Sequence, residues 1–77
     1  MAEIKTVGVI GAGQMGAGIA HVCALAGYNV RLHDVSADRI SAGLAAIERN
    51  MNRQAARGMI TLEALQGAVL RITAAVT

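Results

Sequence analysis

The sequence contains no proline, tryptophan or phenylalanine, and only one tyrosine and one cysteine. The single thiol, Cys23, excludes an internal disulfide and a cysteine-based metal cluster, so no metal site is expected, and a reducing cytoplasm is compatible with it. Cys23 falls among alanines in an expected helix, where it reads as a packed, unreactive side chain. Basic residues are scattered as Arg39, Arg49, Arg53, Arg57 and Arg71, with no dense run and no interleaved aromatics, which leaves nucleic-acid binding without support. No apolar stretch is long enough to span a membrane, and the N-terminal apolar run is a strand broken by glycine rather than a signal peptide. The expected location is cytoplasmic.

What is present is a chain of 77 residues that is 55% hydrophobic and 16% charged, a balance that is neither disordered nor fibrous. It allows one small domain over residues 1–77. Its apolar residues are mostly small, so the core is thin, and a chain of this size buries only about 60–65% of its unfolded surface.

The rest is organised around Thr6 to Asp34. An apolar, β-favouring run (Val7, Gly8, Val9, Ile10) leads into Gly11-Ala12-Gly13-Gln14-Met15-Gly16, a helical pattern follows to Gly27, and a second β-run from Asn29 ends on Asp34. Strand, glycine turn, helix, strand and acid in that order form the dinucleotide-binding fingerprint in its required context. Gly11 permits the sharp turn out of the strand. Gly13 leaves room for a pyrophosphate at the backbone, and Gly16 lets the helix approach the sheet. The helix opens with unpaired N–H groups at Gln14 and Met15 and a partial positive charge, a ready anion site. Asp34 can accept both hydroxyls of an adenosine ribose and would repel a 2′-phosphate, which favours NAD over NADP. Cofactor-binding candidates are therefore Gly11, Ala12, Gly13, Gln14, Met15, Gly16 and Asp34. A glycine turn in an ordinary βαβ unit is the plainer explanation, and it leaves the acid unexplained.

Taken in order, the first strand is expected from Ile4 to Ile10, apolar on both faces after Lys5 and Thr6, as for a central parallel strand covered by helices on both sides. The first helix runs from Gln14 to Ala26, with Met15, Ile19, Val22 and Ala26 at helical spacing and expected to face the sheet. Gly27 supplies a left-handed stop. The second strand, Asn29 to Asp34, alternates and so reads as less covered than the first. Ser36 caps a helix from Ala37 to Arg57 whose apolar stripe is Ile40, Leu44, Ile47 and Met51. Gly58 closes it, Thr61 caps a shorter helix over Leu62 to Leu70, and Arg71 to Thr77 is β-like. The fold class is thus α/β: a partial Rossmann fold with a first βαβ unit, a helical hairpin and a short third strand, in parallel order 3-2-1. That order leaves strand one on an open edge, which proteins normally avoid. Either the chain is a piece of a larger protein whose remainder covers strand one, or it forms a homo-oligomer there.

Three stretches carry a family resemblance: VGVIGAGQMGAGIA (Val7 to Ala20), GYNVRLHD (Gly27 to Asp34) and IERNMNRQAARGMITLEALQGAVLRI (Ile47 to Ile72). The chain resembles the N-terminal end of the 3-hydroxyacyl-CoA dehydrogenases, particularly the 3-hydroxybutyryl-CoA type. The Gln-Met-Gly ending and the helical pair between strands two and three are its more specific marks. The resemblance implies NAD-dependent interconversion of 3-hydroxyacyl-CoA and 3-ketoacyl-CoA, with Gly11 to Gly16 on the pyrophosphate and Asp34 on the ribose. It also implies that the helical pair lies near the acyl-CoA substrate of the full-length parent, where Arg49, Arg53 and Arg57 could meet its phosphates; a solvated basic face explains them equally well. The family's general-base histidine and its glutamate partner belong to a later part of the domain. Neither His21 nor His33 matches that position, so no catalytic residue is assigned and the 77 residues alone are expected to be inactive. His33, beside Asp34, could border the adenine.

Two alternatives stay open. One is a non-catalytic half-Rossmann module that binds nucleotide or self-assembles through strand one. The other is a β-hydroxyacid dehydrogenase acting on small acids, a family that typically lacks the helical pair.

Overall fold

The computed structural model describes residues 5–77, so the expected start of the first strand at Ile4 lies outside the described residues. The elements are β1 (Thr6–Ile10), α1 (Gln14–Leu25), β2 (Asn29–Asp34), α2 (Ala37–Ala56), α3 (Leu62–Arg71) and β3 (Ile72–Val76). The three strands are parallel and lie in the order β1-β2-β3, as right-handed crossovers require. Val7, Val30 and Ile72 stand in register, as do Val9, Leu32 and Ala74.

Local signals set the element ends. Gly27 and Gly58 carry positive φ of 101° and 74° after α1 and α2, conformations that cost a residue with a Cβ. The Ser36 hydroxyl accepts from the Arg39 N–H and the Thr61 hydroxyl from the Ala64 N–H, so α2 and α3 each begin on a side-chain cap. Asp38 and Glu63 add a negative charge to those first turns.

The core is a single cluster in which Val9, Val30, Leu32, Ile40, Ile47, Met51 and Leu65 meet the alanines of α1. Leu32, Val30 and Met51 are its largest fully buried side chains, each contributing about 1.5–3 kcal/mol of apolar burial. On the α2 stripe Ile40, Ile47 and Met51 are buried, with Leu44 packed against the cluster and half-buried.

Three expectations change. The sheet is buried on one face: Val9, Val30, Leu32 and Asp34 point inward, whereas Gly8, Ile10, Arg31, Thr73 and Ala75 are exposed. β1 is therefore not covered on both sides. β2, which pairs on both edges, is better buried than β1, because its alternation marks the inward and outward faces of the middle strand. The third concerns α1, whose inward face is Ala17, Ala20 and Ala24, while Met15, Ile19, Val22 and Ala26 are exposed. The helix packs against β1, β2, α2 and α3 at once, and alanine-sized side chains allow that closeness. Of its outer stripe, Met15 and Ile19 line a cleft with Gly8 and Ile10 of β1.

Candidate functional site

The chain leaves β1 at Gly11, whose φ of 97° is open to glycine without strain, and whose N–H donates to the His33 carbonyl at 2.7 Å. α1 then starts at once. Its first helical hydrogen bond runs from the Ala17 N–H to the Gly13 carbonyl (2.8 Å), so the preceding N–H groups of Gly13, Gln14, Met15 and Gly16 have no helical partner. Unlike α2 and α3, α1 has no side-chain cap and no acidic residue in its first turn. Its positive end is thus left uncompensated by the protein.

The glycines of the turn are fitted differently. A Cβ on Gly16 would stand 1.7 Å from the Gly11 carbonyl oxygen, so only glycine lets the helix follow the turn this tightly. A Cβ on Gly13 would meet nothing within 4 Å, which leaves the space over the helix start free. An open cleft of about 520 Å³ lies there, lined by Gly8, Ile10, Gly11, Gly13, Gln14, Met15 and Ile19 among others.

Asp34 closes β2 and is only 5% exposed. Its Oδ2 accepts from the Ala12 N–H at 2.8 Å and its Oδ1 from the Ser36 N–H at 2.9 Å. The Ala12 N–H, then the Ser36 N–H, hold the carboxyl below its ordinary value, assisted by the Arg39 charge and opposed by burial. Each carboxylate oxygen retains a further lone pair, so the tie to the turn is compatible with accepting a hydroxyl from outside. This first job of Asp34, fastening the turn to the end of β2, was not readable in the sequence.

The candidates Gly11, Ala12, Gly13, Gln14, Met15, Gly16 and Asp34 therefore come together around one turn. Ala12 is 3% exposed, and its side chain belongs to the core. Met15 is 81% exposed beside the cleft. His33 is half-buried on the open sheet face, with Nδ1 buried and without a hydrogen-bond partner. His21 Nε2 bonds Gln54 Oε1 at 2.7 Å and links α1 to α2, a structural position. Cys23 is half-buried against the core, as a packed thiol. Arg49 shares with Arg39 and Asn50 a groove of about 440 Å³ that also touches Gly13 and Gln14. Arg53 and Arg57 lie exposed towards the end of α2. Among the described residues no group of three or more His, Cys, Asp or Glu side chains converges as metal ligands would, and no helix is long and apolar enough to cross a membrane.

Comparison with known proteins places this geometry. A family model described as the NAD binding domain of 3-hydroxyacyl-CoA dehydrogenase matches residues 6–77. A 3-hydroxybutyryl-CoA dehydrogenase of Bradyrhizobium diazoefficiens is 60% identical over 74 residues, which are 96% of this chain and 25% of that protein. The crystal structure of a 3-hydroxybutyryl-CoA dehydrogenase from Escherichia coli superposes with a TM-score of 0.93 at 36% identity, over 99% of this chain and 16% of that one. An (S)-3-hydroxybutyryl-CoA dehydrogenase from Ralstonia eutropha gives 0.92 at 35% identity, over 97% and 26%. The chain thus spans about a quarter or less of the relatives it matches.

Proposed function

The chain belongs to the 3-hydroxyacyl-CoA dehydrogenase family as an NAD-binding segment, and from that premise we propose how its residues hold the cofactor and what reaction they serve. The uncapped start of α1 receives the pyrophosphate through the N–H groups from Gly13 to Gly16, over the space that Gly13 leaves open. The free lone pairs of Asp34 take the hydroxyls of the adenosine ribose. The observation that carries this reading is the pairing of an uncapped, acid-free helix start with a buried carboxylate tied to the same turn. Bound NAD supplies the hydride acceptor; this chain's part is binding and orientation.

The longer enzyme that uses this segment would interconvert 3-hydroxyacyl-CoA and 3-ketoacyl-CoA in fatty acid metabolism, in the cytoplasm. The proton-transferring residues would lie outside these 77 residues. Arg49, beside Gln14 in the α2 groove, is better placed to meet an acyl-CoA phosphate than Arg53 or Arg57.

Calorimetric titration tests the cofactor assignment. The chain should bind NAD more tightly than NADP. Asp34→Ala should weaken NAD by about tenfold or more and narrow the preference over NADP, and Gly13→Val should abolish binding. A Gly13→Val chain that still binds, or an Asp34→Ala chain with an unchanged preference, removes those residues from the cofactor.

A second reading has its own support in the exposed edge of β1. Ile10 is 89% exposed there and lines the same cleft as Met15. In that reading the chain stands alone as a non-catalytic nucleotide-binding module whose copies cover β1 for one another.

A further inference from the structure

Gly43 lies in the interior of α2, thirty-one positions beyond Ala12, and it is buried. Glycine is unfavourable in a helix interior relative to alanine, so α2 gains nothing from it as a helix. The space around it supplies the reason. A Cβ on Gly43 would stand 2.7 Å from the Ala12 carbonyl oxygen and 3.4 Å from the Ala12 Cβ. The atom in the way belongs to the backbone of the cofactor turn and cannot swing aside like the end of a long side chain. Either α2 would withdraw or the turn would shift.

The turn has little freedom to shift elsewhere. On one side Asp34 holds the Ala12 N–H and the His33 carbonyl holds the Gly11 N–H. On another, Gly16 presses against the Gly11 carbonyl. Gly43 provides the remaining wall, on α2, outside the glycine motif that identified the turn. We propose that Gly43 is a positioning residue for the cofactor turn: its missing side chain lets α2 back the Ala12 carbonyl and so fixes where the following N–H groups point. The proposal rests on the cofactor reading above and adds a residue of the second helix to it.

Gly18 is the matched control. It is also interior to a helix, but exposed, and a Cβ there meets nothing within 4 Å. The test compares Gly43→Ala with Gly18→Ala in the 77-residue chain, using amide hydrogen exchange at Ala12 and titration with NAD. Gly18→Ala should keep the Ala12 N–H protected and bind NAD as the unsubstituted chain does. Gly43→Ala should lose that protection and bind NAD about tenfold or more weakly. In the unsubstituted chain, NAD should also shift the Gly43 amide resonance, a measurement that decides the matter if Gly43→Ala fails to fold. Unchanged affinity in Gly43→Ala, equal weakening in both variants, or an unmoved Gly43 resonance on NAD binding overturns the proposal. An unsubstituted chain that ignores NAD overturns the cofactor reading instead, and the exchange comparison still decides whether Gly43 holds the turn.

Discussion

At Asp34 one carboxylate joins the end of β2 to the turn after β1, and its proton affinity follows from that. Its carboxyl titrates below the ordinary value of 3.8 because backbone N–H groups favour the charged form. The folded state therefore binds this proton less readily than the unfolded chain. The resulting stabilisation is fully present above the ordinary value and is lost as the pH falls through the lower, folded one. Thermal unfolding followed by circular dichroism should show a midpoint that is level near neutrality and drops below about pH 4, and Asp34→Ala should flatten that drop. A wild-type acid limb that persists in Asp34→Ala would place its origin elsewhere. The glycines were partly legible in advance. Gly11, Gly16, Gly27 and Gly58 announce themselves through the motif or through helix ends, and the structure gives each a positive φ or a blocked Cβ. Gly43 does not, because its reason is an atom thirty-one residues away.

Among the elements, the capped starts of α2 and α3 and the stops at Gly27 and Gly58 depend on neighbours in sequence, so they could be read there. The facing of α1 could not. Nearly every position of that helix is apolar or small, so helical spacing alone does not choose between Met15-Ile19-Val22 and Ala17-Ala20-Ala24. The number of elements that crowd the helix decides it, and that is a tertiary quantity. The same holds for Arg71 at the end of α3. Its guanidinium donates to the Ala24 carbonyl at 2.9 Å and closes the last turn of α1 from forty-seven positions away. The Ala24 carbonyl also accepts from the Gly27 N–H at 3.1 Å, so Arg71 adds a second donor and a cation at the negative end of the helix dipole. Arg71→Met should cost about 1 kcal/mol, measured as a lower urea midpoint at unchanged slope, the partial exposure of the contact keeping the loss small. A loss below the error of that measurement would make the contact incidental.

For the whole molecule, the single-faced sheet is the governing fact. Two right-handed crossovers stepping the same way from β1 to β2 to β3 put every helix on one face, and the apolar run of β1, which suggested cover on both sides, misled on this point. Ile10, Met15 and Ile19 are exposed and line one open cleft with Gly8 of that strand. An unpaired parallel strand without charge or proline is a template for association. Light scattering on the isolated 77-residue chain should therefore report a concentration-dependent oligomer. Ile10→Lys should raise the association midpoint by roughly tenfold or more, from the lost burial of one large side chain and the added charge. A chain that stays monomeric at all concentrations would remove the second functional reading.

The strand order β1-β2-β3 also sets the tempo of folding. Each strand pairs with its sequence neighbour, and each helix packs on strands that immediately precede or follow it. The contacts that define the sheet are therefore made by closing consecutive loops, Val7 pairing Val30 twenty-three positions on and Val30 pairing Ile72 forty-two positions on. Loop-closure entropy must be met before each of these parallel pairings forms, so the sheet should form slowly for a chain of this length. The turn that would receive the cofactor is fastened when β2 arrives and backed when α2 does. Its competence would thus be established progressively, from the first strand onward, in the order in which a ribosome delivers the sequence.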